Sequence, residues 1–236
     1  MTQLSLHRVL LAILMIVLND KPAPAQGTNA DAKLRALYTA EWQWRQQEMA
    51  RASDAPGDAG AAAHLPKVDA ASQARRYAYW QRTLAALDSI PLDQLSPEER
   101  INAQVLGTSL RALANDVMYK TYEAPLNSDT FFWTEFTPRQ GFGTIDVYRN
   151  YVGRLRDVPR YFDEHMANMR AGMARGFTIP RVSVTGRERT IEPYLKADTT
   201  NPLFTPFANM PATISQADRE ALRREADTVI RDVIVP

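Results

Sequence analysis

The sequence contains no cysteine among its 236 residues, which excludes a disulfide scaffold and every thiolate-ligated metal or iron–sulfur site. Its 10 glycines and 15 prolines are too few for a collagen-like or low-complexity chain. Neither sign of charge dominates, because 28 lysines and arginines stand against 27 aspartates and glutamates. A net charge of +1 offers no electrostatic argument for a nucleic-acid partner. The 45% hydrophobic content predicts instead a folded chain with a sizeable core.

The chain also lacks an apolar run long enough to cross a bilayer, which takes roughly 20 residues. Its most apolar stretch, Val9 to Leu18, has only ten residues and follows the short polar pair His7-Arg8. The small-residue pattern Ala23-Pro24-Ala25 comes next and is typical of a cleavage site. Residues 1–25 are therefore predicted to be a secretory signal cleaved after Ala25, with an uncleaved anchor as the alternative. The mature protein, residues 26–236, is expected in the periplasm or outside the cell, with no membrane attachment.

Helical periodicity dominates the mature chain, and no strand pair is convincing, so the sequence predicts an all-α fold. The expected architecture is an irregular array of several helices. The predicted helices cover roughly residues 31–52, 72–89, 97–117, 145–156, 159–175 and a last segment from about 216.

The third of these helices has the clearest start signal in the sequence. Ser96 is predicted to be its N-cap, Pro97 suits the first helical position, and Glu99 would complete a capping box. Its apolar positions are expected to form a buried stripe wide enough to need partners on both sides. The stripe consists of Ile101, Val105, Leu106, Leu110, Leu113 and Val117.

A long aromatic-rich loop, residues 121–144, interrupts the helical pattern. Prolines, glycines and small polar residues punctuate it, and five large aromatic side chains lie among them. Exposure of five such rings to water is costly, so the loop is expected to pack against the body of the protein. The five rings are those of Phe131, Phe132, Trp133, Phe136 and Phe142.

Catalytic machinery is scarce in the mature chain, which keeps only His64 and His165. Neither belongs to a His-Glu-x-x-His pair, so the sequence predicts no metal site, and no Gly-x-Ser-x-Gly elbow is present. His165 is expected to be a capped or solvated helix histidine. Gly172 and Gly176 have the spacing of a membrane-helix dimer motif, but close packing of two helices or a simple C-cap is expected there.

The stretch from Tyr122 to Val184 and its flanks resemble the bacterial domain of unknown function 885 family over roughly residues 30–236. The stretches that carry the resemblance are Tyr148-Arg149-Asn150-Tyr151, Arg154-Leu155, Val158-Pro159, Arg170 to Gly176, Pro180-Arg181, Leu95 to Arg100 and Pro206 to Pro211.

This resemblance implies an all-helical protein of a family that looks like zinc-dependent hydrolases related to metallopeptidases. The members of this family are much longer than the present chain. Their metal motif, of the type His-Glu-x-x-Pro-Gly-His-His, lies in the C-terminal half of the family fold and has no match here. We therefore expect a truncated member that gives a scaffold and one wall of a substrate channel, with zinc only in full-length relatives. The candidates for a retained substrate-binding role are Arg181, which would hold a peptide carboxylate, together with Asn127 and Trp133.

The apolar end of the chain, Val233-Ile234-Val235-Pro236, agrees with this expectation, because a C-terminal half or a second chain would cover it. Two alternatives stay open at this stage. One is a non-enzymatic periplasmic binding module that uses the aromatic loop as its contact surface. The other is a non-functional remnant. Whether the chain is an enzyme is not decided by the residues themselves.

Overall fold

The computed structural model describes residues 29–49, 62–126, 131–133, 136–138 and 141–236. All regular secondary structure in these ranges is helical, which confirms the predicted all-α class. The predicted signal segment 1–25 and the candidate Asn127 lie outside the described residues. None of the described helices combines the length and apolar character needed to cross a membrane.

Eight α-helices lie in the described ranges, and the bounds of the six longer ones agree with the predicted helices to within about four residues. They are α1 (Asn29–Glu48), α2 (Ala70–Asp88), α3 (Pro97–Met118), α4 (Ile145–Arg156), α5 (Val158–Ala174), α6 (Arg181–Val184), α7 (Thr205–Ala208) and α8 (Gln216–Val229). Short 3₁₀ helices connect them at Leu92–Gln94, Thr121–Glu123, Arg187–Thr190, Glu192–Leu195 and Pro202–Phe204, and a π-helical turn, Ile230–Ile234, follows α8.

Helices α1, α2 and α3 pack together into an N-terminal layer. Trp80 and Leu84 of α2 meet Leu110 of α3 in one cluster, and Leu34 of α1 lies in a second one with Leu87. Ser96 caps α3 as predicted, since its hydroxyl accepts a hydrogen bond from the backbone N–H of Glu99. The backbone N–H of Ser96, however, donates to Asp31 of α1 and not to Glu99, so the predicted capping box is wrong in its second half.

The predicted buried stripe of α3 is also wrong in part. Leu110 is fully buried, but Ile101 and Val105 are 61% and 63% exposed. The face that packs against the neighbouring helices carries the small residues Ala103 and Gly107, and a Cβ at Gly107 would lie 3.3 Å from Leu87. Small residues allow a close approach of two helices, so α3 turns this face inward and leaves part of its larger apolar side chains outside.

The C-terminal layer consists of α4, α5, α8 and the segment 201–214. Helices α4 and α8 share one apolar cluster with the segment 201–214. Tyr148 and Tyr151 of α4 are buried, and their hydroxyls donate to the backbone carbonyls of Pro206 and Leu203. Asn201 fixes the start of the same segment, because its side-chain amide donates to two carbonyls, at 2.8 and 2.9 Å, and its oxygen accepts from the N–H of Leu203. The apolar face of α8 thus packs against a segment that α4 holds in place.

The apolar end after α8 is partly covered within the chain. Val233, Ile234 and Val235 are half-buried against the C-terminal cluster. The partner that was expected to cover this end stays a prediction.

Two close approaches join the layers. A Cβ at Gly153 of α4 would lie 2.5 Å from the carbonyl oxygen of Ala63, and a Cβ at Gly172 of α5 would lie 2.9 Å from that of Glu123. Gly176 ends α5 with a φ of +76°, a conformation that favours glycine. Close packing at Gly172 and a C-cap at Gly176 are what the sequence predicted for this pair.

Candidate functional site

A cavity of about 460 Å³ lies where α4 and α5 meet the aromatic loop and the segment 62–68. Its volume falls within the range of roughly 300–1,000 Å³ that is usual for small-molecule sites. Its wall is mostly apolar and includes five aromatic residues, and Arg154 is the single charged side chain among the described residues that line it. The lining includes Phe132, Phe136, Phe142, Tyr151, Arg154 and Tyr161. We call this space the Arg154 cavity.

Helix α4 brings Arg154 into the cavity by its register. Tyr151 and Leu155 point into the protein, and Arg154 follows Tyr151 by three residues, which places it beside the same helix face. The Tyr151 hydroxyl holds this face in position, because it bonds the carbonyl oxygens of Leu203 and Phe136 at 3.1 and 3.2 Å. Burial raises the pKa of Tyr151, so the hydroxyl keeps its proton. The loop residue Phe136 is therefore tied directly to the helix that carries Arg154.

Arg154 is half-buried and has no hydrogen-bond or ion-pair partner among the residues that the structure describes. Its nearest polarisable neighbour is the Tyr151 ring, whose centroid lies 5.9 Å from the guanidinium carbon. Burial lowers the pKa of Arg154, an effect only partly offset by Tyr151. Other half-buried arginines behave differently: Arg160 pairs with Asp157 and Glu164. Since an arginine keeps its charge at any ordinary pH, Arg154 is a cation that can accept an anionic ligand.

His165 of α5 lies behind the cavity wall. Its ring stacks on that of Phe132 at 4.0 Å and meets the Tyr161 ring edge-on at 4.5 Å. The histidine is only 7% exposed, so the expectation of a capped or solvated residue is wrong. The physical reason is the aromatic loop, which folds over α5 and shields the imidazole from water.

The aromatic loop packs against the body, as its composition predicted. Among its described residues, Phe131 is buried and the other four rings are half-buried. Phe132 makes edge contacts with Phe162 and Tyr161 of α5, and Phe142 does so with Tyr148 of α4. The loop therefore forms one wall of the Arg154 cavity.

The segment 62–68 forms the opposite side of the site and is held by side chains of α5 and of the turn before it. Asp157 accepts the backbone N–H of Leu65, Glu164 accepts that of Val68, and Asn168 donates to the Val68 carbonyl at 2.7 Å. Partial burial raises the pKa of Asp157, but the hydrogen bonds from Leu65 and Arg160 outweigh it and hold this pKa below the ordinary value. We call this set of contacts the α5 clamp.

The residues that the sequence proposed for binding do not gather at this cavity. Arg181 is exposed on the four-residue helix α6 and does not line the Arg154 cavity. Trp133 is half-buried, stacks on Phe131 at 4.8 Å and donates its indole N–H to Thr190. It lines a neighbouring cavity of about 270 Å³. Nothing tests a binding role for either residue, and both roles stay predictions.

Arg154 was not selected from the sequence, although a signal for it exists. Tyr148, Tyr151 and Leu155 form the apolar face of α4, and Arg154 is the charged residue next to that face. A charge at the edge of an apolar stripe marks either a surface residue with a buried stem or a cation aimed into a site. The sequence alone does not decide between the two, because helical periodicity does not show how the aromatic loop packs beside Arg154.

Within the described part of the chain, no three histidine, aspartate or glutamate side chains lie close enough together to hold a metal ion. His64 is exposed, and its Nδ1 lies 3.2 Å from a carboxylate oxygen of Asp157. The donor set around either histidine therefore does not fit a catalytic zinc ion. These observations do not test the prediction that zinc is bound only by full-length relatives.

A family model described as "Bacterial protein of unknown function (DUF885)" matches residues 50–236. This range runs from the residues before α2 to the end of the described chain and contains the whole Arg154 cavity apart from Met49. Comparison with curated proteins and with solved structures found no match.

Proposed function

Because the chain belongs to the bacterial family of unknown function DUF885, we propose that it supplies the scaffold and a substrate-binding wall of a peptidase-like hydrolase. The ligand class that suits the Arg154 cavity is a small apolar carboxylate, such as the C-terminal residue of a peptide. The zinc-binding part would come from a further segment or a second chain, and residues 1–25 would direct export. This proposal carries forward the activity implied by the family resemblance.

The observation that carries the ligand class is the charge of Arg154, which has no ion-pair partner among the described residues. Burial of a cation without an anion is unfavourable, and proteins ordinarily pair such groups. A ligand carboxylate would form charge-assisted hydrogen bonds with the guanidinium, in the two-pronged geometry that arginine offers. The rings of Phe136, Phe142 and Tyr151 would take up the apolar part of the same ligand.

The residues of this chain would bind and orient the ligand and exclude water from it. Zinc, when bound in a complete relative, would supply Lewis-acid activation of the scissile carbonyl and of water. No step in this proposal is assigned to a metal here, because the described residues hold no ligand set for one. The contribution of this chain is therefore recognition of the substrate.

Calorimetric titration with 3-phenylpropionate and with the matching amide, 3-phenylpropanamide, tests the proposal. The two ligands have nearly the same shape, but only the first carries a charge. A charge-assisted hydrogen bond contributes about 1.5–3 kcal/mol, so the acid should bind at least about tenfold more tightly than the amide. The variant Arg154→Gln should bind both equally, with its fold checked by circular dichroism.

Arg181→Gln is the matched control, because it removes an exposed arginine that lies outside the cavity. It should keep the preference of the wild-type protein for the acid. Equal binding of acid and amide by the wild-type protein would contradict the proposal. If only Arg181→Gln loses the preference for the acid, the carboxylate binds at Arg181, as the sequence predicted.

A second candidate function is the non-enzymatic binding module, favoured by the cavity that the aromatic loop helps to form. Incubation of the chain with zinc and a peptide library separates the two. Chelator-sensitive turnover by this chain alone would show that it is a complete enzyme. The scaffold role would be supported if the chain alone binds peptides without turnover and turnover begins when a zinc-bearing partner segment is added.

A further inference from the structure

Both ring nitrogens of His165 are buried without a hydrogen-bond partner among the described residues. Only 7% of the residue is exposed, and neither ring nitrogen has appreciable accessible surface. At least about 90% of buried polar groups in proteins are hydrogen-bonded, and each exception calls for an explanation. If His165 served only to fill space, phenylalanine at this position would give a more stable protein, because its ring has no polar atoms to bury without a partner.

The described groups around His165 do not supply the missing partner. The stacked ring of Phe132 and the edge of Tyr161 offer only aromatic surface to the imidazole. Glu164, the adjacent residue of α5, uses its two carboxylate oxygens for Val68 and Arg160. Burial lowers the pKa of His165 to about 4, with Glu164 opposing the change, so the ring is neutral at pH 7.

The position of His165 connects it to the Arg154 cavity. Phe132 and Tyr161 both line that cavity, and both contact the imidazole. The histidine thus lies directly beside two residues of the cavity wall. The Phe132 ring covers the face of the imidazole, whereas the ring nitrogens lie in its plane, so a nitrogen reaches the cavity when Phe132 moves aside and the His165 side chain rotates.

We propose that His165 is a specificity-determining residue of the Arg154 cavity and pairs with the amide of an N-acylated amino acid when the Phe132 ring moves aside and the imidazole rotates toward the cavity. This inference rests on the proposed function and names its substrate class more closely: a peptide C-terminus, whose carboxylate meets Arg154 and whose preceding amide meets His165. A neutral imidazole both donates and accepts, so it matches an amide on either its N–H or its C=O side.

The test compares two ligands that share a phenyl ring and a carboxylate. N-acetyl-L-phenylalanine carries the amide, and 3-phenylpropionate does not. The wild-type protein should prefer the amide-bearing ligand by about fivefold, the effect expected of one neutral hydrogen bond. His165→Phe should lose that preference and still bind 3-phenylpropionate as tightly as the wild type. His64→Gln, which changes an exposed histidine, should keep it.

A second measurement on the unmodified protein covers the case in which His165→Phe does not fold. In nitrogen-15 spectra of the imidazole, the signals of His165 should shift on addition of N-acetyl-L-phenylalanine and stay in place with 3-phenylpropionate. Unshifted signals, or a preference retained in His165→Phe, would overturn the inference while leaving the role of Arg154 intact. If neither ligand binds, the inference and the proposed function both fail.

Discussion

At the scale of the residue, the site is defined by two polar side chains that lack partners in the described structure. Arg154 is a half-buried cation at the cavity, and His165 is a neutral base one ring behind it. Each costs folding free energy relative to an apolar side chain of similar shape, since its polar atoms lose water without gaining a bond. Groups that violate the usual rules of a stable interior are expected at functional sites.

The stability of the protein should therefore depend on pH through His165. Its pKa of about 4 in the folded state lies below the 6.5 of an unfolded chain, so only the unfolded state gains a proton between these values. Stability from this source is complete above pH 6.5 and is lost as the pH falls toward 4, by about 3 kcal/mol. Urea unfolding at pH 7 and pH 4 should show this extra loss in the wild type and not in His165→Phe.

His64→Gln serves as the control for this measurement, since it changes an exposed histidine and leaves His165 in place. It should lose as much stability between the two pH values as the wild type loses through His165. A His165→Phe variant with the full wild-type loss would show that other groups cause the pH dependence.

Gly153 tests how closely α4 approaches the segment before α2. A Cβ there would lie 2.5 Å from the carbonyl oxygen of Ala63, so Gly153→Ala forces a backbone shift. We expect a loss of about 1–3 kcal/mol of unfolding free energy despite the better helix propensity of alanine. Gly143→Ala, which would meet nothing within 4 Å, should change stability by less than about 0.5 kcal/mol. Equal effects in chemical denaturation would contradict the close approach.

At the scale of the element, the α5 clamp decides the shape of the site. It fixes the segment 62–68 by hydrogen bonds from three residues between the start and the middle of α5. Asp157, Glu164 and Asn168 are spaced by seven and four residues, which places them on one side of the helix. Three hydrogen bonds from side chains thus replace the backbone pattern that a regular element would supply to this segment.

Removal of one member of the clamp should loosen this segment locally. Glu164→Ala deletes the acceptor for the Val68 N–H, which lies 2.6 Å from the carboxylate. Loss of a hydrogen bond to a charged group corresponds to about 1.5–3 kcal/mol, so exchange of the Val68 amide should accelerate tenfold or more. Amide hydrogen exchange followed by NMR measures this directly.

Asp163→Ala is the neighbouring control, because Asp163 is exposed and has no hydrogen-bond partner among the described residues. Its effect on the Val68 amide should be small. Comparable acceleration in both variants would show that general destabilisation of α5, and not the clamp, governs the exchange.

Helix boundaries were predictable from the sequence to a few residues, whereas helix faces were predictable only in part. Caps such as Ser96 and Ser215 act locally, so the sequence signals them directly. The inward face of α3 depends on what the partner helix can accept, and α2 meets Ala103 and Gly107 in place of Ile101 and Val105. Periodicity counts large apolar residues and so misses a face formed by small ones.

At the scale of the whole molecule, the site lies beside the C-terminal layer. The cavity takes its walls from the aromatic loop, α4 and α5, which are consecutive in the chain, and from the segment 62–68, which is far from them in sequence. The family assignment and the all-α class were predictable because each rests on a long stretch of chain. Arg154 and His165 were not, because a loop that folds back over them decides their burial.

Export, zinc dependence in longer relatives and the partner that covers the apolar end remain predictions at this scale. They are all compatible with a chain whose contribution is recognition of a peptide end. The Arg154 cavity is the part of that account that can be examined with this chain alone.

The position of the ligand carboxylate in a crystal structure of the chain with N-acetyl-L-phenylalanine tests the account most directly. We predict that the carboxylate lies within about 3 Å of the Arg154 guanidinium nitrogens, the distance of a charge-assisted hydrogen bond. The phenyl ring should lie among Phe136, Phe142 and Tyr151. A ligand bound at Arg181, or with its carboxylate in solvent and Arg154 unengaged, would contradict the account.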